Sequence, residues 1–366
     1  MSTPIAVGAL PAIDAQPDSG AAVEWADPAR QVAFERWLAT LGSHRLDPAS
    51  LRPASADASF RRYLRIDAAD RSLVVMDAPP PQEDVRPFVR VAQLIEKAGL
   101  NAPRVVAQDV EHGFLLLTDL GSRPYLAALL AALDEGETGR ADTLMREAFG
   151  ALVQWQQCVD PASLPPYDDA LLRRELALFP DWCVNREHDI DWSAEQMLQW
   201  QGVCDLLVTS ALAQPRVAVH RDFMPRNLMV CEPNPGILDF QDAVVGPITY
   251  DAASMLRDAF VSWDEEQELD WAVRYWQQAR QAGLPLHADF GEFWRQLEWM
   301  GLQRHLKVLG IFCRLKHRDG KPAYSRDLPR FFRYVRRAAG RYNAFSALLH
   351  LLDEVEGIET KAGYPS

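Results

Sequence analysis

The chain has 366 residues, with 51 acidic against 38 basic side chains, a formal charge of -13 and a pI near 5.1. That length exceeds what one hydrophobic core usually serves, so two domains are expected, and the acidic balance argues against a nucleic-acid or anionic-membrane partner. No apolar run approaches a membrane span and no basic start leads into an apolar core, so a cytoplasmic location is expected, with no membrane and no obligate protein partner evident. Cys158, Cys183, Cys204, Cys231 and Cys313 are odd in number, scattered and free of CxxC pairs, and they read as reduced thiols with no metal framework.

Residues 1–27 are rich in Ala, Pro, Asp and Ser without periodicity and read as a mobile tail. Over 28–41, Val32, Phe34, Trp37 and Leu38 fall at helical spacing. Residues 61–66 and 72–76 then read as a hairpin around Asp67-Ala68-Ala69-Asp70, and 103–110 with 114–118 as a second around Glu111-His112-Gly113. Between the hairpins, 87–98 carries Phe88, Val91, Leu94 and Ile95 on one helical face. Gly121 follows the last strand as the start of a hinge, and helical patterns dominate from Ser122 onward. One of these, over 193–212, opens on a Ser-x-x-Gln capping box at Ser193 and Gln196.

The second half carries His220-Arg221-Asp222-Phe223-Met224-Pro225-Arg226-Asn227, followed by Ile237-Leu238-Asp239-Phe240-Gln241. Strand-like stretches at 217–220 and 236–240 flank these polar residues, which places Asp222, Asn227 and Asp239 at strand ends. The spacing is that of a kinase catalytic loop and its metal-binding aspartate. Phosphoryl transfer asks for positioning and charge neutralisation more than covalent chemistry. One carboxylate and one amide carbonyl, Asp239 and Asn227, suit magnesium and leave positions for phosphate oxygens and water. Asp222 then serves as the base that accepts the proton of an attacking hydroxyl, while His220 holds the loop by hydrogen bonding.

These motifs resemble the aminoglycoside phosphotransferase and choline kinase group, the small-molecule branch of the protein-kinase-like fold. The resemblance implies an α+β, two-lobed architecture: an N-lobe over 28–120 with an antiparallel sheet, one helix and the nucleotide site, and a mostly helical C-lobe over 121–366 with the catalytic loop and substrate site. The short distance from Asp239 to Gly246-Pro247-Ile248-Thr249-Tyr250-Asp251 leaves no room for an activation segment, so a protein substrate is not expected. Asp251 reads either as a brace of the catalytic loop or as an ordinary helix N-cap. Gln241 replaces the glycine that lets protein kinases flip this segment, which suggests a fixed metal site.

Neither GxxxxGK[ST] nor GxGxxG precedes the first hairpin, and the small-residue run Ser55-Ala56-Asp57-Ala58-Ser59-Phe60 stands in its place. Met76 occupies the strand position where kinases carry a phosphate-binding lysine, so Arg61 and Arg62, with Arg65 on the same strand, are candidate replacements unless they are ordinary solvent-facing residues. Ser59, Arg61, Arg62, Thr118, Leu120, Asn227 and Asp239 are therefore the expected contacts for ATP and Mg2+, with Thr118 to Leu120 as the adenine strand.

The strings 59–65, Val74-Val75-Met76-Asp77-Ala78-Pro79-Pro80, Leu117-Thr118-Asp119-Leu120-Gly121 and Asp239-Phe240-Gln241-Asp242-Ala243 look like the bacterial anomeric sugar kinases of peptidoglycan recycling. That likeness implies phosphorylation of N-acetylmuramate or N-acetylglucosamine at C1. Arg257 and Arg304 are candidates for a substrate anion, although the basic stretches 303–307 and 314–318 also fit solvated helix faces. Trp263, Trp271, Trp276, Trp294 and Trp299 offer either a sugar platform or helical core packing. A kinase for another small alcohol, such as an aminoglycoside or amino alcohol, and a nucleotide-binding pseudokinase remain the alternatives.

Overall fold

A computed structural model of the chain describes residues 23–56 and 60–358. It falls into two compact units, one drawing on the chain up to Ser122 together with Cys231–Asp242, the other formed by Arg123–Val230 and Ala243–Ser366.

The first unit begins with α1 (Pro28–Thr40), whose N-cap Asp27 accepts a hydrogen bond from Ala29 N at 2.9 Å, with proline in the first turn. The strands β1 (Asp47–Ala56), β2 (Arg62–Asp67), β3 (Ser72–Asp77), β4 (Val105–Asp109) and β5 (Phe114–Thr118) form an antiparallel sheet in the order β1-β2-β3-β5-β4. Period-two alternation sets its register. Leu64 faces Val75 and Ile66 faces Leu73, and these four join Phe114 and Leu116 in a core closed by Phe34 and Trp37 of α1. The Trp37 ring stacks on Phe114 at 5.4 Å. Burial of each such side chain is worth about 1.5–3 kcal/mol, which is what ties α1 to the sheet.

Three features depart from expectation. Val32 is 44 % exposed and lies off the packed face of α1. The strand β1 was not visible in the sequence because Pro48 and Pro53 interrupt it; it is an edge strand with register shifts, where proline is tolerated. The tail expectation also ends too late. Most of 1–27 lies outside the described residues, but Val23 and Trp25 pack against the core, with Trp25 4.9 Å from Phe34, because apolar area is available there to bury.

The helix α2 (Arg86–Lys97) buries Phe88, Val91 and Ile95 as expected. Phe88 meets Phe240 at 4.6 Å, and Ile237 N donates to Asn101 O at 2.8 Å. These bonds place the later segment Cys231–Asp242 in this unit although the chain-order partition assigned it to 121–366.

The second unit contains α3 (Tyr125–Asp134), α4 (Thr138–Cys158), α5 (Asp169–Leu178), α6 (Ala194–Leu212), α7 (Tyr250–Leu256), α8 (Glu265–Gln281), α9 (Phe290–His317), α10 (Leu328–Ala339) and α11 (Ser346–Val355). The capping box at Ser193 and Gln196 is formed. The 28-residue α9 is buried on every side through its middle turns, as a helix at the centre of a unit must be. A Cβ on Gly310 would lie 2.3 Å from the backbone of Leu178, so glycine is required where α9 meets the end of α5. One turn earlier on each helix stand Lys307 and Glu175, brought together by that approach. The strand β6 (Arg216–Val219) pairs antiparallel with Val244–Pro247 and delivers the chain to His220. Trp263 and Trp271 are core residues in edge-to-face contact at 4.9 Å. No helix among the described residues is long and apolar enough to cross a membrane.

Candidate active site

The catalytic-loop motif lies wholly in the second unit. His220 is buried directly after β6, and Arg221 adopts φ 76°, a region costly for any residue with a Cβ. The strain is countered from below. The carboxylate of Asp251, fully buried in the first turn of α7, accepts from His220 N at 2.7 Å and Arg221 N at 3.0 Å. Asp251 is therefore the brace of the loop and not the helix cap, a position held by Thr249. Burial pushes its carboxyl up to about 7 despite the two N–H donors, with the nearby Asp222 charge adding to the rise.

Asp222 follows the turn half-buried, its own N–H donating to His220 Nδ1 at 3.2 Å. Asn227 Nδ2 donates to Asp222 O at 3.0 Å, which fixes the amide plane and makes Oδ1 the atom chemically suited to a cation. A loop held at both ends in this way presents one carboxylate and one amide oxygen from a single short segment.

Beneath it lies a charge cluster that the sequence analysis missed. Arg221 Nη2 meets Glu175 Oε1 at 2.5 Å, and Lys307 Nζ reaches the same oxygen at 3.1 Å. Glu175 Oε2 accepts from Tyr167 OH and from Gln303 Nε2, the latter at 3.2 Å, and Lys307 also donates to Tyr250 OH at 3.0 Å. Burial pushes the Glu175 carboxyl up, but Lys307 and Arg221 outweigh it and bring it down to about 2. Burial likewise pulls on the Lys307 ammonium, and Glu175 more than compensates, leaving it raised. The one signal in the sequence was the basic stretch 303–307, read there as a surface face or an anion site; it is buried.

In the first unit, Asp239 sits at φ 59° and its Oδ1 accepts from Gln241 Nε2 at 2.8 Å. The glutamine that replaces glycine thus ties the carboxylate down. Among the described residues no group of three or more His, Cys, Asp or Glu forms a cage for a metal.

The nucleotide expectations fare unevenly in the same unit. Ser59 lies outside the described residues. Arg61 pairs with Glu83 at 2.9 Å, just ahead of α2. Arg62 directs Nη2 and Nε to one oxygen of the buried Asp77 at 2.5 and 3.1 Å, and Arg30 takes the other oxygen at 2.6 Å, so the two guanidinium groups share one carboxylate. Arg65 pairs with Asp119 at 2.6 Å. Met76 is buried, opposite Tyr63 and Leu115, and its side chain belongs to the interior. Thr118 closes β5 with its Oγ1 accepting from Arg104 N at 2.9 Å, and Leu120 follows half-buried.

The two substrate candidates separate sharply. Arg257 is 1 % exposed and pairs with Glu268 at 3.0 Å and Glu298 at 3.1 Å, which leaves only its Nη1 without a hydrogen-bond partner. Arg304 is 3 % exposed, yet among the described residues no carboxylate lies within ion-pair distance and its Nη1 has no hydrogen-bond partner. Asp258 is fully buried with Oδ1 equally unpartnered; burial pushes its carboxyl up while Arg304 and Arg330 pull it down.

The family model described as "Phosphotransferase enzyme family" matches residues 50–290. A protein of Pseudomonas aeruginosa named N-acetylmuramate/N-acetylglucosamine kinase is 54 % identical over 311 residues, 85 % of this chain and 90 % of that one. A protein of the same name from Neisseria meningitidis serogroup B is 46 % identical over 90 % of this chain and 97 % of its own length. Among solved structures, the gentamicin complex of APH(2")-IIa aligns with a TM-score of 0.57 at 13 % identity, covering 88 % of this chain and 99 % of that one. A choline kinase from Cryptosporidium parvum gives 0.55 at 10 % identity, with 89 % and 96 % covered. At such identities these structures speak for the fold alone, which is protein-kinase-like.

Proposed function

Since the chain belongs to the phosphotransferase enzyme family, we propose that it transfers the γ-phosphoryl group of ATP to an amino sugar, N-acetylmuramate or N-acetylglucosamine, at the anomeric C1 hydroxyl, in the cytoplasmic recycling of cell-wall sugars. The observation that carries this reading is the braced loop: Asp251 accepts both amides that precede Asp222, so the carboxylate is preorganised to take a proton. An anomeric hydroxyl is more acidic than an ordinary alcohol, which suits a carboxylate base without further assistance.

Asn227 and Asp239 would hold Mg2+, and ATP bound with it supplies the phosphoryl group and part of the neutralising charge. An amide oxygen and a carboxylate, each on a side chain fixed by a hydrogen bond, are donor types that a hard octahedral cation takes. Arg61, whose partner Glu83 precedes α2, is the cation best placed in the sequence to replace the lysine absent at Met76, with Arg62 supporting the same strand through Asp77. Thr118 and Leu120 would meet the adenine. Of the two substrate candidates Arg304 is retained for the anion and Arg257 is given up, because two carboxylates already neutralise Arg257.

The test is product analysis. Phosphorus-coupled NMR after turnover with ATP and each amino sugar should show coupling to the anomeric proton, and a methyl glycoside should not react. Phosphorylation of the glycoside would replace this reading with a general small-alcohol kinase. Asp222→Asn should keep nucleotide binding and lose about two to four orders of magnitude in turnover, as a general base would. Turnover near that of the wild type in a folded variant would remove Asp222 from the mechanism.

A further inference from the structure

We infer that Glu175 is a positioning residue for phosphoryl transfer, holding the catalytic loop through Arg221 and pairing Arg221 with Lys307 behind Asp222. The inference rests on the assignment of Asp222 as the base. The geometry is contained in the second unit. Arg221 stands next to Asp222 in the chain and at φ 76°, so a force on its side chain acts on the backbone that aims the carboxylate. Asp251 supplies that force at the amide, and Glu175 supplies it at the guanidinium, at 2.5 Å. The two anchors come from different helices, α7 and α5, and neither lies near Asp222 in sequence.

The charges around Glu175 explain why a carboxylate is needed there. From α9 comes Lys307 at 3.1 Å with the neutral Gln303, from the catalytic loop Arg221, from α7 the hydroxyl of Tyr250, and from the segment before α5 the hydroxyl of Tyr167. Lys307 and Arg221 both act electrostatically on Asp222 as well, while Asp251 faces it with like charge. One anion between two cations leaves a single excess positive charge toward Asp222. Neutralising Glu175 would leave two, and the loop would lose its anchor at the same time. Glu175 is 5 % exposed and Lys307 8 %, so the cluster acts from beneath the site and touches no substrate itself.

The experiment compares Glu175→Gln and Glu175→Asp in the full chain with N-acetylglucosamine and ATP. Glu175→Gln should lower kcat about ten- to a hundredfold with the KM for ATP nearly unchanged, the scale expected when a reacting group is misplaced by an ångström. Hydrogen exchange should quicken in the peptide spanning 217–227 and not in α4 or α11. Glu175→Asp should recover part of the lost rate. Wild-type kcat in Glu175→Gln, a rate in Glu175→Asp no better than in Glu175→Gln, or exchange raised throughout the helical unit would each overturn the inference. Failure of the Asp222 assignment would appear separately, as turnover retained by Asp222→Asn, while loop exchange still reports whether Glu175 holds the backbone.

Discussion

The sheet-bearing unit and the helical unit both contain many ion pairs, but they place them differently. In the first, Arg61–Glu83, Arg65–Asp119 and Arg52–Asp67 line the sheet as separate pairs, one guanidinium to one carboxylate. In the second, Arg257 bridges Glu268 and Glu298 with all three side chains at 1 % exposure or less, and Glu175 bridges Arg221 and Lys307. An exposed pair such as Arg52–Asp67 contributes little, because water screens it and long side chains must be ordered to form it. In the buried kind, removing one partner strands a charge in the interior, so their role is to fix one arrangement of helices. The helical unit thus uses buried polar interactions to fix geometry, and one such cluster anchors the 220–227 loop.

The largest effect expected from this contrast is at Arg257. Arg257→Met should destabilise the protein by about 3–5 kcal/mol, toward the lower end because Arg337 at 2.7 Å and Arg341 at 2.5 Å still face the two glutamates. Urea denaturation would measure it, and a loss under 1 kcal/mol would show the buried triad to be no different from a surface pair.

Glu175 comes next and has a pH signature. Its folded pKa is depressed, to about 2 from an ordinary 4.5, so its contribution is present above the ordinary value and is lost as pH falls toward 2. The change corresponds to about 3 kcal/mol between roughly pH 5 and pH 2. Acid unfolding of Glu175→Gln should lack that component. A parallel pH dependence in the variant would refute the depressed carboxyl.

A smaller effect is expected in the sheet unit, where Asp77 is its nearest counterpart to the buried network. Asp77→Asn should cost about 1–3 kcal/mol, since Arg30 and Arg62 lose a charged acceptor but keep partial access to water. Smallest of all, Arg274→Ala, which breaks an exposed pair with Asp270 within α8, should leave the urea midpoint unchanged. A shift comparable to that of Asp77→Asn would erase the distinction between the two kinds of pair.

The sequence by itself determined what depends on local pattern. Alternation gave the two hairpins, spacing gave α2 and the capped α6, and the residue types of 220–227 and 239 carry the proposal for the chemistry, because side-chain periodicity and donor type belong to neighbouring residues. Only the tertiary structure decided which charges face which. Arg257 and Arg304 look alike in the sequence, yet one is closed by Glu268 and Glu298 and the other is buried without a carboxylate partner. Likewise Asp251 could be a cap or a brace until its carboxylate was seen on the amides of His220 and Arg221, 31 and 30 residues away. Glu175 gave no sign at all, since its partners Arg221 and Lys307 stand far along the chain, Arg221 meeting it from the loop after β6 and Lys307 from α9, where Gly310 lets that helix close on α5. Electrostatic partnership acts through space, and its sign and strength follow burial and distance, which no local pattern encodes.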